Sequence, residues 1–171
     1  KTFSVSGKFN GGINNFKTDL KLKSSSGNAT IKALFDRTRK NAERYDAVVY
    51  LDRFDLGYLL KNDSIGKISL DAKVKGVGLN PKTANATVSG SVKQAQFNGY
   101  NYTNLNLDGK IADGSFDVKA DMNDPNLTFK LATSGGFKDK YPAVKLKMNL
   151  DIADLEKLNL HAGPLKNKGN I

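Results

Sequence analysis

The sequence predicts an all-β protein built from long amphipathic strands. Three observations support this class. Apolar and polar residues alternate along most of the chain, turn-forming residues separate the alternating stretches, and helical patterns are confined to two short segments. With 171 residues, the chain is long enough to fold as one domain.

The alternating stretches predict the strands in order. In a strand, successive side chains point to opposite faces, so a period of two gives each strand one apolar and one polar face. In the clearest example, Ile68, Leu70 and Val74 alternate with polar residues. The alternating stretches cover residues 3–5, 20–22, 29–35, 45–51, 68–74, 84–92, 100–107, 116–122, 127–131 and 144–152.

Glycine, proline and Asx residues mark the connections between these stretches. Asp113-Gly114 is typical of a two-residue β-hairpin turn. The alternation slips by one residue at Thr103-Asn104, which predicts a β-bulge. Further turns are predicted at Gly11, Gly27, Pro81, Pro125 and Gly135.

The two helical segments, residues 54–60 and 153–158, each have one or two turns, with an aspartate placed to cap the first turn. They belong to a repeat, because LDRFDLGYLL from Leu51 and LDIADLEKLNL from Leu150 both read Leu-Asp-x-x-Asp-Leu-x-x-Leu. Shorter matches pair residues 9–11 with 97–99 and residues 27–33 with 114–120, and residues 127–136 are predicted to be an insertion.

This repeat predicts stacked supersecondary units that cannot each bury their own apolar face. Residues 1–171 are therefore predicted to be a single repetitive β segment of a longer protein. Its approximate units are 1–65 and 66–165, truncated at both ends.

The charge pattern favours a solvated cationic face over a nucleic-acid interface. The formal net charge is +10. Lys73, Lys75, Lys145 and Lys147 occupy alternate positions of two strands and form no stripe with interleaved aromatic residues. No uninterrupted apolar stretch approaches the roughly 20 residues of a transmembrane helix.

The sequence shows no pattern of a catalytic, metal or cofactor site, so we predict that the chain is not an enzyme. It has no cysteine and a single histidine, His161, without neighbouring ligands. The aspartate pairs Asp52/Asp55 and Asp151/Asp154 recur at equivalent repeat positions, which favours capping over acid–base catalysis.

The corner motifs resemble those of the AsmA-like superfamily and, within it, the TamB family of Gram-negative envelope proteins. Residues 66–114 resemble that family in the order of their elements, with a strand ending in Gly76-x-Gly78, an Asn-Pro turn and a Phe-Asn-Gly-Tyr turn. The resemblance implies a long sheet curled into a U-shaped groove with an apolar lining. It also implies a periplasmic location, in a protein anchored in the inner membrane outside this segment.

For this family, the expected function is a hydrophobic groove or scaffold for phospholipid transport between membranes, for outer-membrane protein assembly, or for both. The expected partners are a phospholipid or another acyl-chain ligand and an outer-membrane barrel assembly protein. The candidate lining residues are Ile68, Leu70, Val74, Val88, Phe116, Val118, Leu127, Phe129, Leu131, Val144, Leu146 and Leu150.

One modification site and one alternative remain open. Asp63-Ser64-Ile65 resembles a three-residue O-glycosylation acceptor, which makes Ser64 a candidate site. The alternative function is a closed β-sandwich that serves as a structural or adhesin repeat without a lipid ligand. In that case the same apolar residues would form an ordinary sheet core.

Overall fold

The computed structural model describes residues 3–138 and 143–160, and it confirms the all-β prediction. Ten strands form one slightly curled, groove-like sheet in which spatial order follows chain order and every neighbouring pair is antiparallel. The strands are β1 (Phe3–Gly12), β2 (Asn15–Ser24), β3 (Gly27–Asp36), β4 (Arg44–Asp55), β5 (Ile65–Val77), β6 (Asn85–Phe97), β7 (Tyr100–Ala112), β8 (Ser115–Asp124), β9 (Leu127–Gly136) and β10 (Val144–Ala153). The single helix of the described part of the chain, α1, spans Leu56–Leu60.

The strand register places most apolar residues of the ten strands on one side of the sheet, and Leu34, Val48 and Val77 are exceptions on the other side. Directly opposed residues of neighbouring strands share a face. One such row starts at Val74 and crosses six strands, through Val88, Gly109, Val118 and Thr133 to Leu146. We call this side the apolar face. From β1 to β10 it carries Val5, Phe16, Ile31, Val49, Leu70, Val88, Leu107, Val118, Leu131 and Leu146, with the residues that alternate with them.

The opposite side, the polar face, carries charged residues that pair across strands. Lys32 lies 3.4 Å from Asp19, and Lys75 lies 3.5 Å from Asp46. Both pairs are directly opposed in the register. They are exposed to solvent, so each contributes at most about 1 kcal/mol. Their main effect is to keep this side of the sheet hydrated, which distinguishes it from the apolar face.

The connections divide the sheet into two ends. We call the end formed by residues 13–14, 37–43, 78–84, 113–114, 137–138 and 143 the loop end. The corner end consists of residues 25–26, 56–64, 98–99, 125–126 and 154–160. Every strand therefore runs from one rim of the groove to the other.

The two corner motifs adopt closely similar local structures. The Asp55 carboxylate accepts a hydrogen bond from the Tyr58 amide at 3.0 Å, and Asp154 does the same for the Lys157 amide at 3.1 Å. Each turn ends in a residue with positive φ, Lys61 at 53° and Asn159 at 55°. The prediction of short helical turns at the corners is confirmed.

The caps are the second aspartate of each motif rather than both. Asp52 lies in the bulge of β4, and its carboxylate accepts a hydrogen bond from Asn28 at 3.3 Å. The capping interpretation therefore holds for Asp55 and Asp154 and does not extend to Asp52. His161 and the remainder of the predicted second unit lie outside the described residues.

The shorter repeat matches do not occupy equivalent places in the sheet. Residues 9–11 lie in β1 near the loop end, whereas residues 97–99 form the β6–β7 turn at the corner end. Residues 27–33 and 114–120 likewise begin at opposite ends. The predicted insertion, residues 127–136, is one complete strand, β9. The unit boundaries thus stay a prediction that rests on the two corners.

Two glycine-rich turns are displaced from where the sequence places them. The Asp113-Gly114 hairpin is confirmed, with φ of 49° and 74° at its two turn residues. Gly11, however, lies within β1, where φ is 111° and an added Cβ would come within 2.1 Å of the Asn15 carbonyl. Gly135 lies in β9 for a similar reason, because an added Cβ would meet the Ala143 carbonyl at 2.5 Å. Both glycines allow a close backbone approach instead of a turn.

Candidate functional site

All twelve candidate lining residues lie on the apolar face. Those of β5 and β6 are joined by direct pairing of Val74 with Val88. Those of β8, β9 and β10 are joined by rows such as Phe129 opposite Leu150. The structure therefore brings the predicted lining together as one surface that spans β5 to β10.

None of the twelve side chains is fully buried. Leu146 is 67% exposed, Val144 59% and Leu150 53%, and Val88 in the middle of the sheet is 38% exposed. The others are half-buried, which is what lateral contact with neighbours in one sheet produces. Among the described residues there is no second sheet over this face. Side chains of these types are usually inside a folded protein, so an uncovered apolar face of this size is unusual.

A concavity of about 550 Å³ lies on the apolar face towards the loop end. We call it the niche. Its lining is almost entirely apolar and includes five of the predicted residues, Val74, Val88, Phe116, Val118 and Val144. Gly109 lies between Val88 and Val118 in the register, and an added Cβ there would come within 2.8 Å of Val88 Cγ1. The absence of a side chain at this position therefore helps to form the hollow.

The apolar face continues beyond the predicted residues onto β1–β4. At the loop end the Phe9 and Phe16 rings stack with centroids 5.5 Å apart, and Phe35 follows at 5.6 Å from Phe16. Tyr45 is opposite Phe35 in the next strand. The signal for these residues was present in the sequence as the weaker alternation of the first strands.

The segment after β10 covers the corner end of the same face. Tyr102 donates a hydrogen bond from its hydroxyl to the Leu158 carbonyl at 3.3 Å, and Asn159 donates to the Asn98 carbonyl at 2.9 Å. The Leu158 side chain is completely buried. This segment, residues 154–160, thus reaches back over three strands to the β6–β7 hairpin, and we call it the strap. It lies at the corner end and leaves the niche at the loop end uncovered.

A buried carboxylate, Asp124, lies in the sheet beneath the strap. It is 1% exposed and accepts hydrogen bonds from the Tyr100 hydroxyl, from the amide and hydroxyl of Thr103, and from the Asn126 amide. Burial alone would raise the pKa of Asp124, but these donors outweigh it and hold the pKa below its usual value. Burial, followed by the nearby Asp124 carboxylate, raises the pKa of Tyr100.

These bonds explain the irregularity predicted at Thr103-Asn104. Asn104 has a φ of 55°, and pairing of β7 with β8 begins only at Leu105. The Thr103 amide is thereby available to Asp124 instead of to a strand ladder. The Asx-rich turn around Pro125 is therefore structural.

The remaining candidate, Ser64, lies at the surface of the first corner. It is exposed, its amide donates to the Asn62 side chain at 2.9 Å, and its carbonyl accepts from the Asn98 amide at 2.8 Å. The hydroxyl group is thus on an accessible turn. Its modification stays a prediction.

A second concavity, of about 540 Å³, lies on the polar face on the other side of the same strands. Leu34, Arg44, Lys75 and Lys110 are among its lining residues. Lys75 is paired there with Asp46 at 3.5 Å. The lining surface of this concavity is mostly apolar, charged side chains also contribute to it, and it contains none of the predicted lining residues.

No group of three or more potential metal-ligating His, Cys, Asp or Glu side chains comes together within the described ranges. In the same part of the chain, no helix has both the length and the apolarity needed to cross a bilayer. No protein-family model, curated protein or solved structure matches the chain. The likeness to TamB and AsmA-like proteins accordingly rests on the sequence motifs alone.

Proposed function

We propose that this chain is a groove-forming segment of a TamB-like or AsmA-like envelope protein. In this proposal it lies in the periplasm and holds acyl chains of phospholipids on its apolar face while they move between membranes. It has no catalytic role, and a scaffold role in outer-membrane protein assembly is compatible with the same surface. An outer-membrane barrel assembly protein is the partner proposed for that role.

The observation that carries this proposal is that the twelve predicted lining residues share one face of a single-layer sheet, where four are exposed and eight are half-buried. An apolar face of this extent must be covered by another protein layer or occupied by an apolar ligand. The niche has the volume and the apolar lining typical of a lipid or small-molecule site. The polar face, by contrast, carries ion pairs that are exposed to solvent.

The sandwich alternative requires a second sheet on the apolar face. Ten strands of the described chain lie in one sheet, so that layer would have to come from elsewhere. No feature of the described residues indicates a particular protein layer, in preference to an acyl chain, as the partner of this face.

Photo-crosslinking in the full-length protein in intact cells tests the proposal. A photoreactive amino acid at Leu146 or Val118 is expected to capture phospholipid, identified by mass spectrometry after purification. The matched controls are Lys147 and Lys119, which adjoin those residues in the same strands and point to the polar face.

Capture at Leu146 and Val118 but not at the two lysines supports a lipid-holding face. Capture of a protein at Leu146 and Val118, with no lipid, would instead support the covered sandwich. Equal lipid capture at all four positions would show only nonspecific adsorption to membranes and would contradict the proposal.

A further inference from the structure

The two rims of the groove differ in charge. Nine ionisable residues of the described chain lie in or next to the connections at the loop end, and six of them are basic. They are Arg37, Arg39, Lys40, Arg44, Lys82 and Lys138, against Asp36, Glu43 and Asp113. The corner end has the reverse balance by the same criterion, with two basic and five acidic residues. These are Lys61 and Lys157, against Asp55, Asp63, Asp124, Asp154 and Glu156.

Two of the basic residues, Lys82 and Lys138, belong to loops that meet beside the niche. The Lys138 side chain passes over Gly114, where an added Cβ would come within 2.8 Å of Lys138 Cγ and 3.0 Å of the Lys82 carbonyl. Three loops therefore meet at this point. Lys138 directly follows Phe137, whose ring lies 5.2 Å from that of Phe116, and both rings line the niche.

The niche provides an apolar surface and the loop end provides positive charge. A binding site for an anionic amphiphile requires both. An acyl chain removes apolar surface from water when it lies along Val88, Val118 and Phe116. A phosphate at the loop end is attracted by Lys82 and Lys138, whose side chains are both exposed. At the corner end the same phosphate would meet a net negative rim and the strap.

We propose that the niche binds one acyl chain of an anionic phospholipid, with the headgroup held at the loop end by Lys82 and Lys138. This inference rests on the proposed function and adds to it a preference for headgroup charge and an orientation of the lipid. The polar-face concavity is a less suitable site, because Asp46 lies in it and is paired with Lys75.

Binding of two matched short-chain lipids to the purified chain tests this inference. Dioctanoylphosphatidylglycerol has a net negative headgroup, and dioctanoylphosphatidylcholine has the same acyl chains and no net charge. Isothermal titration calorimetry at physiological ionic strength is expected to show tighter binding of the anionic lipid by roughly 25-fold, since each of the two lysines contributes about a fivefold gain. Inorganic phosphate serves as a third ligand without an acyl chain.

The variants separate the rim from the overall charge of +10. Lys82→Glu/Lys138→Glu is expected to abolish the preference and to leave phosphatidylcholine binding unchanged. Lys23→Glu/Lys67→Glu makes the same charge change at two strand residues near the corner end, in β2 and β5, and is expected to retain the preference. Val118→Gln is expected to weaken both lipids. If the double glutamate variant at the rim does not fold, Lys82→Gln/Lys138→Gln is expected to reduce the preference several-fold.

The outcomes distinguish this inference from the function on which it rests. Equal binding of the two lipids, or an equal loss of preference in both double glutamate variants, leaves the groove function standing and overturns the oriented site. Phosphate that binds as well as the anionic lipid also overturns it, because the acyl chain would then contribute nothing. Failure of both lipids to bind the wild-type chain contradicts the proposed function itself.

Discussion

Asp124 shows how a single residue can fix one end of the groove. Its carboxylate joins β7, the β8–β9 turn and the tyrosine pair under the strap through four hydrogen bonds. Tyr100 and Tyr102 pack edge to face with centroids 4.7 Å apart, and Tyr102 continues the network to Leu158. A buried acid with only neutral donors as partners is stable as long as it is ionised and all of its acceptor sites are used.

We expect Asp124→Asn to lower the free energy of unfolding by about 2 kcal/mol, because a buried amide presents a donor to groups that are themselves donors. Asp108→Asn, at an exposed position on the polar face, is the matched control and is expected to change the free energy by less than about 0.5 kcal/mol. Urea denaturation measures both. Equal midpoints for the two variants would mean that the Asp124 network does not stabilise the fold.

The same residue gives a pH dependence with a defined sign. The pKa of Asp124 is lower in the folded protein than its ordinary value of 3.8, so its stabilisation is present above about pH 4. That stabilisation is lost as the pH falls through the folded-state pKa. The acid limb of a stability–pH profile is therefore expected to be shallower in Asp124→Asn than in the wild type, and an unchanged limb would contradict this origin.

At the scale of single residues, the sequence predicts well on which face of the sheet a side chain lies. It predicts poorly which other residues that side chain contacts. All twelve lining residues have the predicted orientation because a strand has a strict period of two. The partners of Asp124 come from Tyr100 and Thr103, more than twenty residues away, and depend on where the ladder of β7 breaks. No local spacing contains that information.

Among the secondary-structure elements, the first corner depends on an irregular strand and a glycine next to it. The register of β4 against β5 shifts between Leu51 and Phe54, and Arg53 in the bulge has a φ of 46°. The Arg53 amide donates to the Ser69 hydroxyl at 2.9 Å. Gly27, at the start of β3, has a φ of 112° and leaves space for the Arg53 carbonyl. The bulge redirects the chain from the sheet into α1.

Gly27→Ala is expected to destabilise the protein by about 2 kcal/mol or more. The added Cβ would lie 2.2 Å from the Arg53 carbonyl oxygen, and the backbone conformation is unfavourable for alanine. Gly12→Ala is the matched control, because nothing lies within 4 Å of its added Cβ. Thermal unfolding of both variants tests the close approach, and a neutral Gly27→Ala would show that the corner tolerates displacement.

The corners were predictable because an aspartate cap acts over three residues and leaves a local signature. The positions of the glycines were not, because Gly11 and Gly27 are needed for contacts with backbone on a neighbouring strand. A glycine-rich stretch is therefore predicted from the sequence to be a turn, even where the glycine instead permits a bulge or a close contact between two strands. The second corner also shows that the short turn serves as a strap, which depends on contacts with Asn98 and Tyr102.

Considered as a whole, the molecule is a one-layer sheet whose two sides have different environments. Its burial is lateral, between strands that follow one another in the chain, and only five apolar residues of the described chain are buried. They are Ala29, Ala84, Ala120, Met122 and Leu158. The two largest, Met122 and Leu158, lie at the corner end near the strap. The stability of the sheet therefore depends little on a closed core, which leaves the apolar face available.

Leu146→Arg is expected to change the free energy of unfolding by less than about 1 kcal/mol, because a long cationic side chain can reach water from an open face. Met122→Arg is the contrasting variant on the same face, where a residue only 6% exposed would become a buried charge at a cost of several kcal/mol. Thermal unfolding separates the two. We also expect Leu146→Arg in the full-length protein to impair lipid passage, because acyl chains would have to desolvate the guanidinium.

Unfolding of Leu146→Arg as severe as that of Met122→Arg would indicate a covered face. A variant that is folded and fully active would show that this part of the face carries no ligand. A folded protein with impaired lipid passage agrees with the groove.

The most direct test of an open apolar face uses the absence of cysteine from the sequence. Single cysteines at Leu146, Lys147 and Leu158 report an apolar-face, a polar-face and a fully buried position, and their rates of reaction with a water-soluble maleimide can be compared. We predict that Leu146→Cys reacts within about tenfold of Lys147→Cys, and far faster than Leu158→Cys, since thiol reactivity requires access. Added phospholipid is predicted to slow Leu146→Cys alone. A Leu146→Cys rate as low as that of Leu158→Cys would contradict the open groove.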